Sequence, residues 1–557
     1  MVGVAGSSKG CNTCRKRKIH CDGDRPSCAR CRKTNRVCGG YERERHFKNL
    51  SALDRETFDS GTGGTTVTTA RITPQDQNIE GIRHAAGLAE VFIDFLANYI
   101  PRRKEEGEEG EGEGHDTRLQ NEQKTQQVSW LQAIDPSSLE NSASLDLAIL
   151  ALSLSCLGRR HGDERLRREG TANYGRALRR LQDSLSHHSL LLEEQTLASC
   201  MALSIFEACL PFSGKNTCGW VSHVEGMARL VELRGPESHM TGSSHRLFLG
   251  FRSTAITHAL ATRKSIFLAR PDWLTVPWKI HPKSDLDRLQ DIMAQIATLL
   301  EKAERLRTAS TTTTAAAVPE RTALVQEGRT FHSQLQTWYQ RLVRKHAGCG
   351  ALYWERPVSA RFHLPIPSVF TTSLQFPTFE IARLHLSYWT MLLLLRTSIL
   401  SLALRESYPS DTDTDAAPPS PPSSPPPEVP DLPDHHLATM ICKSMDFFLS
   451  DDARIMGPQN VFFALRVATH VFSRAAAAAT TTTAGTPHHH LRIVEWCRAV
   501  FDELDRRGYS LGRILAACPW DEIPALLSPR NQGMTSQQQR PGAGVELGDM
   551  GEGYGQG

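Results

Sequence analysis

The chain has 557 residues, a length that accommodates about three to five domains of roughly 100–200 residues each. Hydrophobic residues make up 39% and charged residues 22%, which indicates a folded core interrupted by segments too polar to fold alone. The net charge of +3 is unevenly divided, because residues 1–50 carry +9 and the remainder carries −6. A basic N-terminal segment followed by a mildly acidic remainder predicts that the N-terminal segment binds nucleic acid or an anionic surface.

The same composition argues against secreted and membrane proteins. Residues 1–10 contain no apolar leader segment, so we expect no secretory signal. The longest apolar stretches, at 147–158 and 384–395, have 12 residues each, whereas a membrane helix needs about 20. We therefore expect no membrane partner and a reducing compartment, in which cysteines are thiols or metal ligands and not disulfides.

Six of the 14 cysteines fall within 28 residues, and the spacing C-x2-C-x6-C occurs twice among them. These six candidate metal ligands are Cys11, Cys14, Cys21, Cys28, Cys31 and Cys38. A structural zinc takes four thiolates, so two zincs need eight metal–sulfur bonds, and six cysteines supply eight only if two of them bridge. The symmetric choice of bridging ligands is the first cysteine of each half, Cys11 and Cys28.

The metal must also act as the core of this segment, because its apolar residues are few, chiefly Ile19 and Val37. Structural zinc supplies about 10–16 kcal/mol in small peptides. Six thiolates and two Zn²⁺ carry a net charge of −2, and the Lys and Arg residues nearby favour thiolate formation. A disulfide knot, a copper-thiolate store and a four-cysteine zinc knuckle with two spare cysteines are the alternatives. The reducing compartment argues against the first, and the repeated spacing argues against the last.

Residues 10–22, 25–31 and 38–41 together resemble the fungal binuclear zinc cluster of transcription factors. The basic run after the second cysteine, Asp22 after the third and Pro26 before the fourth all match the family pattern. The resemblance implies two Zn²⁺ ions bridged by the first and fourth cysteines, and a first short helix in the DNA major groove, usually on a CGG triplet. It also implies a nuclear regulator of RNA polymerase II transcription with double-stranded DNA and the transcription machinery as partners.

The same resemblance assigns the DNA contacts. A helix over 14–19 would project four basic side chains, of which Arg17 and Lys18 match the base-reading positions, since Arg and Lys pair with guanine O6 and N7. Arg15, Arg32 and Lys33 would lie near phosphates, which position the module without reading sequence. His20 replaces the usual Lys or Arg and predicts a weak or pH-dependent phosphate contact. The predicted DNA-binding set is Arg15, Lys16, Arg17, Lys18, His20, Arg32 and Lys33.

The remaining chain is expected to divide into a linker and a helical body. Residues 1–10 and 531–557 are expected to be disordered, 11–41 to form the cluster and 42–84 to be flexible. Apolar residues in 42–84 do not hold a heptad, so we expect dimerisation, if any, through the body. From 85 to 530 the apolar period is helical. The predicted helices lie at 88–99, 145–157, 171–185, 190–210, 220–233, 286–306, 324–343, 379–404, 436–449, 461–472 and 491–505.

Low-complexity inserts near 105–114, 309–317, 409–433 and 475–483 are expected to be surface loops. The predicted fold is thus a small metal-stabilised module with two short helices and two zincs, followed by a large all-α domain with disordered inserts. Residues 220–235 resemble the W-x-x-H-x-x-G…L…RG helix of the fungal-specific regulatory domain. His223 on that helix is expected to be a packed histidine and not a ligand.

No P-loop, dinucleotide-binding, zincin or nucleophile-elbow motif is present, so we expect no enzyme. The alternative function is a thiolate metal store or redox sensor without specific DNA binding. A scaffold protein with a vestigial cluster is a further alternative, and the intact cysteines and basic run argue against it.

Overall fold

The computed structural model divides into two compact units, Met1–Ile72, the cysteine unit, and Thr73–Gly557, the helical unit. The described residues are 11, 13–14, 17, 19, 21–22, 28–34, 36, 38, 85–102, 129–135, 143–209, 218–309, 317–348, 350–359, 364–367, 369–400, 402, 432–481 and 487–528. The predicted linker 42–84, the inserts 105–114 and 409–431, and the two predicted disordered ends lie outside the described residues.

The described part of the cysteine unit has a helical turn at Thr13 and Cys14 and one helix, α1 (Ala29–Lys33). The first eight helices of the helical unit are α2 (Ala85–Tyr99), α3 (Ser144–His161), α4 (Glu164–Ser186), α5 (His188–Leu191), α6 (Glu194–Cys209), α7 (Cys218–Arg234), α8 (Gly242–Thr262) and α9 (Pro271–Thr275). They are followed by α10 (Asp285–Ala309), α11 (Ala317–Lys345), α12 (Phe379–Leu395), α13 (Asp434–Lys443), α14 (Met445–Phe448), α15 (Met456–Thr481), α16 (Pro487–Arg506), α17 (Leu511–Ala517) and α18 (Ile523–Leu526). Short 3₁₀ turns lie at Trp130–Ala133, Pro236–His239, Phe267–Ala269, Val276–Trp278, Asp451–Ala453 and Trp520–Glu522. The prediction of a cysteine-rich module followed by a large all-α domain is confirmed.

Helices α3 and α4 form a tightly packed antiparallel pair. Helix α3 is buried along most of its length and ends at Gly162, whose φ of 66° is the left-handed conformation that favours glycine. Asp163 then caps α4 by accepting backbone N–H bonds from Arg165 and Leu166. Gly170 of α4 faces α3 so closely that a Cβ there would lie 2.9 Å from the backbone nitrogen of Ser155. The absence of a side chain at Gly170 therefore sets the distance between the two helices.

The centre of the helical unit contains one buried ion-pair network. The guanidinium of Arg252 on α8 is 1% exposed and lies 3.2 Å from Asp287 and 2.6 Å from Asp291 on α10. It also lies over the ring of Trp278, 4.9 Å from the ring centre. A buried charge is tolerated only when it is paired and hydrogen-bonded, so this network fixes the register of α8 against α10.

Helix α15 corrects the prediction of a surface loop at 475–483. The helix continues through the Ala/Thr tract to Thr481, and Ala476 is buried. Alanine has the highest intrinsic helix propensity, so the repeat extends a helix that tertiary packing has already begun. Residues Met456–Ala478 are long and apolar enough to cross a membrane by length and composition, but 61% of the apolar window is buried within the helical unit. This burial is what a core helix of a globular protein requires.

A two-stranded antiparallel sheet interrupts the helices. Strand β1 (Trp354–Pro357) pairs with β2 (Thr372–Gln375), with Trp354 opposite Gln375. The carboxylate of Asp446 accepts hydrogen bonds from the Ser373 hydroxyl at 2.7 Å and from the Ser359 backbone N–H at 3.0 Å. The sheet therefore packs on the α13–α14 region and does not change the all-α class.

Several predicted boundaries were wrong in detail, and one long helix and the short helices α9, α17 and α18 were not predicted. The helix predicted over 379–404 ends at Leu395 and passes into a π-type turn at Arg396–Leu400. The helix predicted over 436–449 is split between α13 and α14, and residues 190–210 contain α6 preceded by the short α5. Helix α8 was not predicted, because apolar and polar residues are mixed around its circumference and no single apolar stripe stands out.

Candidate metal centre and nucleic-acid interface

The structure brings the six clustered cysteines together in two overlapping groups of four. One group contains Cys11, Cys14, Cys21 and Cys28, and the other contains Cys11, Cys28, Cys31 and Cys38. The sulfur atoms of each group all lie within 4.8 Å of one another. Cys11 and Cys28 belong to both groups, as two bridging ligands would.

The sulfur–sulfur distances fit tetrahedral thiolate coordination of zinc. Cys11 Sγ lies 3.7 Å from Cys28 Sγ, the pair shared by both groups. Within the separate groups, Cys14 Sγ lies 3.8 Å from Cys28 Sγ, and Cys11 Sγ lies 3.9 Å from Cys31 Sγ. A zinc–sulfur bond of about 2.3 Å gives a tetrahedron whose edges are about 3.8 Å. Each group can therefore hold one zinc ion.

The backbone around the two shared sulfurs repeats with the cysteine spacing. The N–H of Cys14 donates to Cys11 Sγ at 3.4 Å, and the N–H of Cys31 donates to Cys28 Sγ at 3.3 Å. Each shared sulfur thus caps the first turn of a helix, in the way that an oxygen side chain usually does. A hydrogen bond to the charged form of a group stabilises that charged form, which suits a thiolate shared by two cations.

The backbone after each of the two helical turns also forms an equivalent hydrogen bond. The Ile19 N–H donates to the Cys14 carbonyl at 3.1 Å, and the Arg36 N–H donates to the Cys31 carbonyl at 3.0 Å. Both bonds span five residues, and they lie 17 residues apart, which is also the separation of Cys11 and Cys28. The repeated spacing in the sequence is therefore a repeated backbone structure.

Asp22 joins the two halves of the cysteine unit. One carboxylate oxygen accepts the Ala29 N–H at 3.0 Å, and the other accepts the Arg30 N–H at 3.0 Å. Together with Cys28 Sγ, this side chain satisfies the first three N–H groups of α1, which would otherwise lack partners. Asp22 matches the family pattern in the sequence, but only the structure shows that its side chain caps α1.

The buried side chains described in this unit are cysteines. Cys11, Cys14, Cys28 and Cys31 are 0–1% exposed, whereas Cys21 and Cys38 are half-buried, and among the described residues of this unit only Ile19 packs against them as a hydrocarbon side chain. Burial raises the pKa of the thiols of the four buried cysteines. Four desolvated thiols become thiolates readily only beside a cation, so the cluster needs metal to form its charged state.

The basic residues described in this unit are exposed to solvent. Arg17 follows the helical turn at Thr13, and its N–H donates to the Thr13 carbonyl at 3.3 Å. Arg32 and Lys33 lie at the end of α1. The other predicted DNA-binding residues, Arg15, Lys16, Lys18 and His20, lie outside the described residues.

Outside the cluster, five further cysteines lie in the packed interior of the helical unit, and Cys518 is half-buried. Cys156, Cys200, Cys209, Cys442 and Cys497 are buried. His223 on α7 is half-buried, and burial lowers its pKa to about 4, so it is a neutral packed side chain at pH 7. Among the described residues of the whole chain, the two cysteine groups are the only metal-type clusters of His, Cys, Asp and Glu.

Two family models match the chain. The fungal Zn(2)-Cys(6) binuclear cluster domain matches residues 9–46, which include all six cysteines. The fungal specific transcription factor domain matches residues 118–346, within the helical unit. No solved structure matches the chain.

Three curated relatives are similar to parts of the chain, and two of them are named as regulators. The chain is 51% identical over 41 residues to arginine metabolism regulation protein II of Saccharomyces cerevisiae, covering 7% of this chain and 5% of that protein. It is 54% identical over 35 residues to the aspercryptin biosynthesis cluster-specific transcription regulator atnN of Emericella nidulans, covering 6% of each. It is also 31% identical over 150 residues to the uncharacterized protein AN5342 of Emericella nidulans, covering 26% of this chain and 31% of that protein.

The chain spans under a third of the length of each of these relatives. The likeness to the two named regulators is short, yet it agrees with the two family models and with the geometry of the cysteines. The chain therefore carries a fungal Zn(2)-Cys(6) binuclear cluster domain at residues 9–46 and, within its helical unit, a fungal specific transcription factor domain at residues 118–346.

Proposed function

We propose that the chain binds two Zn²⁺ ions and uses the resulting cluster to read a CGG-type triplet in the DNA major groove. In this proposal it acts in the nucleus as a regulator of RNA polymerase II transcription. The single observation that carries the proposal is the pair of overlapping cysteine groups that share Cys11 and Cys28.

The overlap argues for two ions, not one. A single tetrahedral zinc would use four of the six sulfurs and leave two thiols without a metal. Two ions use all six sulfurs, because each shared sulfur contributes a bond to both ions. The N–H groups of Cys14 and Cys31 donate to the two shared sulfurs, Cys11 Sγ and Cys28 Sγ, and so stabilise their thiolate form.

Base reading is assigned to the first helical turn. Arg17 is exposed and lies one turn after Thr13, and together with Lys18 it would donate to guanine O6 and N7. Arg15, Lys16 and His20 would lie on the same segment, on phosphates or at the groove edge. The sequence also places Arg32 and Lys33 at the corresponding point of the second half, where they would contact phosphates.

The helical unit is assigned the regulatory role. We propose that it extends over 85–530, beyond the matched residues 118–346, because its core is continuous from Leu88 to Leu515. Pairing of two chains, if it occurs, is assigned to this unit, since no heptad follows the cluster. Contacts with the transcription machinery are assigned to it as well.

The test is selection of binding sites from random double-stranded DNA with the zinc-loaded full chain. We expect enriched sequences that contain a CGG-type triplet, and we expect the enrichment to vanish when a chelator removes the metal. A chain that binds zinc but enriches no sequence would support the thiolate store or redox sensor instead.

A further inference from the structure

The helical unit contains a partly open cavity of about 370 Å³, within the size range of small-molecule sites in proteins. Its walls come from α6, α7, α8, α10, α12 and α15, with the 3₁₀ turn at Trp130 and the C-terminal helices α17 and α18 closing other sides. The cavity therefore lies among helices that are far apart in the sequence, and the proposed DNA-binding function does not use it.

One face of α8 explains why the cavity exists. The residues of α8 on this wall are mostly small or polar, with Phe251 as the one aromatic member: Arg246, Leu249, Gly250, Phe251, Ser253, Thr254, Thr257, His258 and Ala261. The other side of the helix carries large buried side chains such as Phe248 and Ile256. A helix in the middle of a core would ordinarily be apolar all round, so the small polar face leaves space that the core does not fill.

Arg383 on α12 brings a charge to this space. Its neighbours in sequence, Ala382 and Leu384, are buried, yet Arg383 keeps accessible surface because it lines the cavity. No described carboxylate forms an ion pair with it. Its nearest hydrogen-bonding partner is the Ser253 hydroxyl, at 3.5 Å. Burial lowers the pKa of Arg383, and the nearby carboxylates of Glu380 and Asp287 offset this effect only in part.

Polar groups around Arg383 are arranged as donors. The buried Gln290 amide on α10 donates to Ser253 Oγ at 2.6 Å, so that oxygen accepts from Gln290 and its own hydroxyl hydrogen remains available. Two further arginines, Arg246 and Arg466, line the cavity, and the buried Nε of each lacks a hydrogen-bond partner among the described residues. Arg466 does donate through Nη2 to the Cys518 carbonyl at 2.7 Å.

The remaining described lining is apolar or neutral and contains no Asp or Glu. Aromatic and methionine side chains predominate among its large members, for example Trp220, Phe251, Met293 and Met391. Positive charge without any lining acid selects against cationic ligands, and a wall of rings and thioethers favours an apolar body.

We propose that this cavity binds a small amphipathic organic anion, with the anionic group at Arg383 and Ser253 and the apolar body among the aromatic and methionine side chains. Such a ligand would place a negative charge within ion-pair distance of Arg383, which no described carboxylate does, although Glu380 and Asp287 act on it from further away. Because the walls come from helices far apart in the sequence, a bound ligand would link these helices. The regulatory unit would then respond to a metabolite of this class.

The test uses two fluorescent probes of almost the same shape and the zinc-loaded full chain. Anilinonaphthalene sulfonate is an aromatic anion, and N-phenylnaphthylamine is its uncharged counterpart. We expect anilinonaphthalene sulfonate to bind at one saturable site per chain and at least about tenfold more tightly than N-phenylnaphthylamine, since a hydrogen bond to a charged group has about that worth.

The variants separate charge from shape. Arg383→Met should weaken the sulfonate by at least about tenfold while changing the neutral probe little, and Arg383→Lys should retain part of the sulfonate affinity. Ser387→Phe, one turn along α12, should fill the space and weaken both probes. Arg341→Met, at an exposed position on α11, is the matched control and should change neither.

Two results would overturn the proposal. One is equal affinity of the two probes for the unaltered chain, which requires no variant to fold. The other is sulfonate binding that survives both Arg383→Met and Arg383→Lys unchanged in chains whose far-ultraviolet circular dichroism matches that of the unaltered protein.

Discussion

Replacement of Asp22 by alanine should weaken zinc binding although Asp22 is not a metal ligand. Its two carboxylate oxygens accept the N–H groups of Ala29 and Arg30, each at 3.0 Å. These two bonds hold the start of α1, and α1 holds Cys31 and its N–H bond to the shared sulfur of Cys28. Loss of the cap therefore loosens one half of the cluster directly at a bridging position.

The magnitude follows from the two bonds. A net hydrogen bond contributes about 0.5–1.5 kcal/mol, and removal of a helix N-cap costs about 1 kcal/mol. Because Asp22 is exposed, water partly replaces what is lost, and we expect a total of about 1–2 kcal/mol. Since metal binding and folding of such a unit are coupled, the apparent zinc affinity should fall by about 5–30-fold.

The assay is competition for zinc between the full chain and a chromophoric chelator at fixed pH. Asp22→Asn provides an internal control, because one amide oxygen can still accept one of the two N–H groups, and its affinity should fall between those of the unaltered chain and Asp22→Ala. Affinities of Asp22→Ala and the unaltered chain that agree within twofold would refute the proposed role of the cap.

Four further predictions concern the cluster, the DNA contacts and the helical unit. Cys11→Ala or Cys28→Ala should reduce zinc content more than Cys14→Ala or Cys31→Ala, because each shared sulfur binds both ions; equal losses in metal analysis would argue against bridging. Arg17→Ala should cost about 1–3 kcal/mol on a selected site, whereas Arg32→Ala should weaken all sequences alike and reduce the salt slope by about 1, as filter binding at several salt concentrations would show. Gly170→Ala should destabilise the helical unit by about 1–3 kcal/mol through overlap with Ser155, whereas Gly175→Ala, where a Cβ meets nothing within 4 Å, should be neutral or stabilising in urea unfolding. Burial lowers the pKa of His239 and His385 to about 4, below the ~6.5 of an unfolded histidine. Between these two pH values the unfolded chain therefore binds more protons than the folded chain, so the free energy of unfolding should fall as the pH is lowered from 6.5 towards 4. Tryptophan-monitored unfolding would measure this, and a constant free energy of unfolding over that range would contradict it.

Much of the cysteine unit could be predicted from the sequence because its geometry is nearly local. In each C-x2-C pair the two cysteines lie on one helical turn, and the need for eight bonds from six sulfurs requires two shared cysteines. Symmetry and the family resemblance predict Cys11 and Cys28 for this role. The structure places these two in both groups. The cap supplied by Asp22 could not be predicted from the residues alone, because it depends on how the two halves of the repeat face each other.

The helical unit was predictable in class and less so in detail, for physical reasons. Long amphipathic helices such as α7 and α10 have one apolar face, and the sequence pattern shows it. Helix α8 has no single apolar face, since one side packs in the core and the other lines the cavity, and it was missed. The Ala/Thr tract after Phe472 was expected to be a loop, yet it extends α15 because alanine propagates an existing helix at little cost.

The most direct test of the central claim is the number of zinc ions bound by one chain, measured by native mass spectrometry of the full protein. Two overlapping groups of cysteines that share Cys11 and Cys28 predict two zinc ions per chain, with no ion bound when the six clustered cysteines are replaced and two still bound when Cys156 and Cys200 are replaced. One zinc ion per unaltered chain would contradict the bridged cluster and the account of DNA reading built on it.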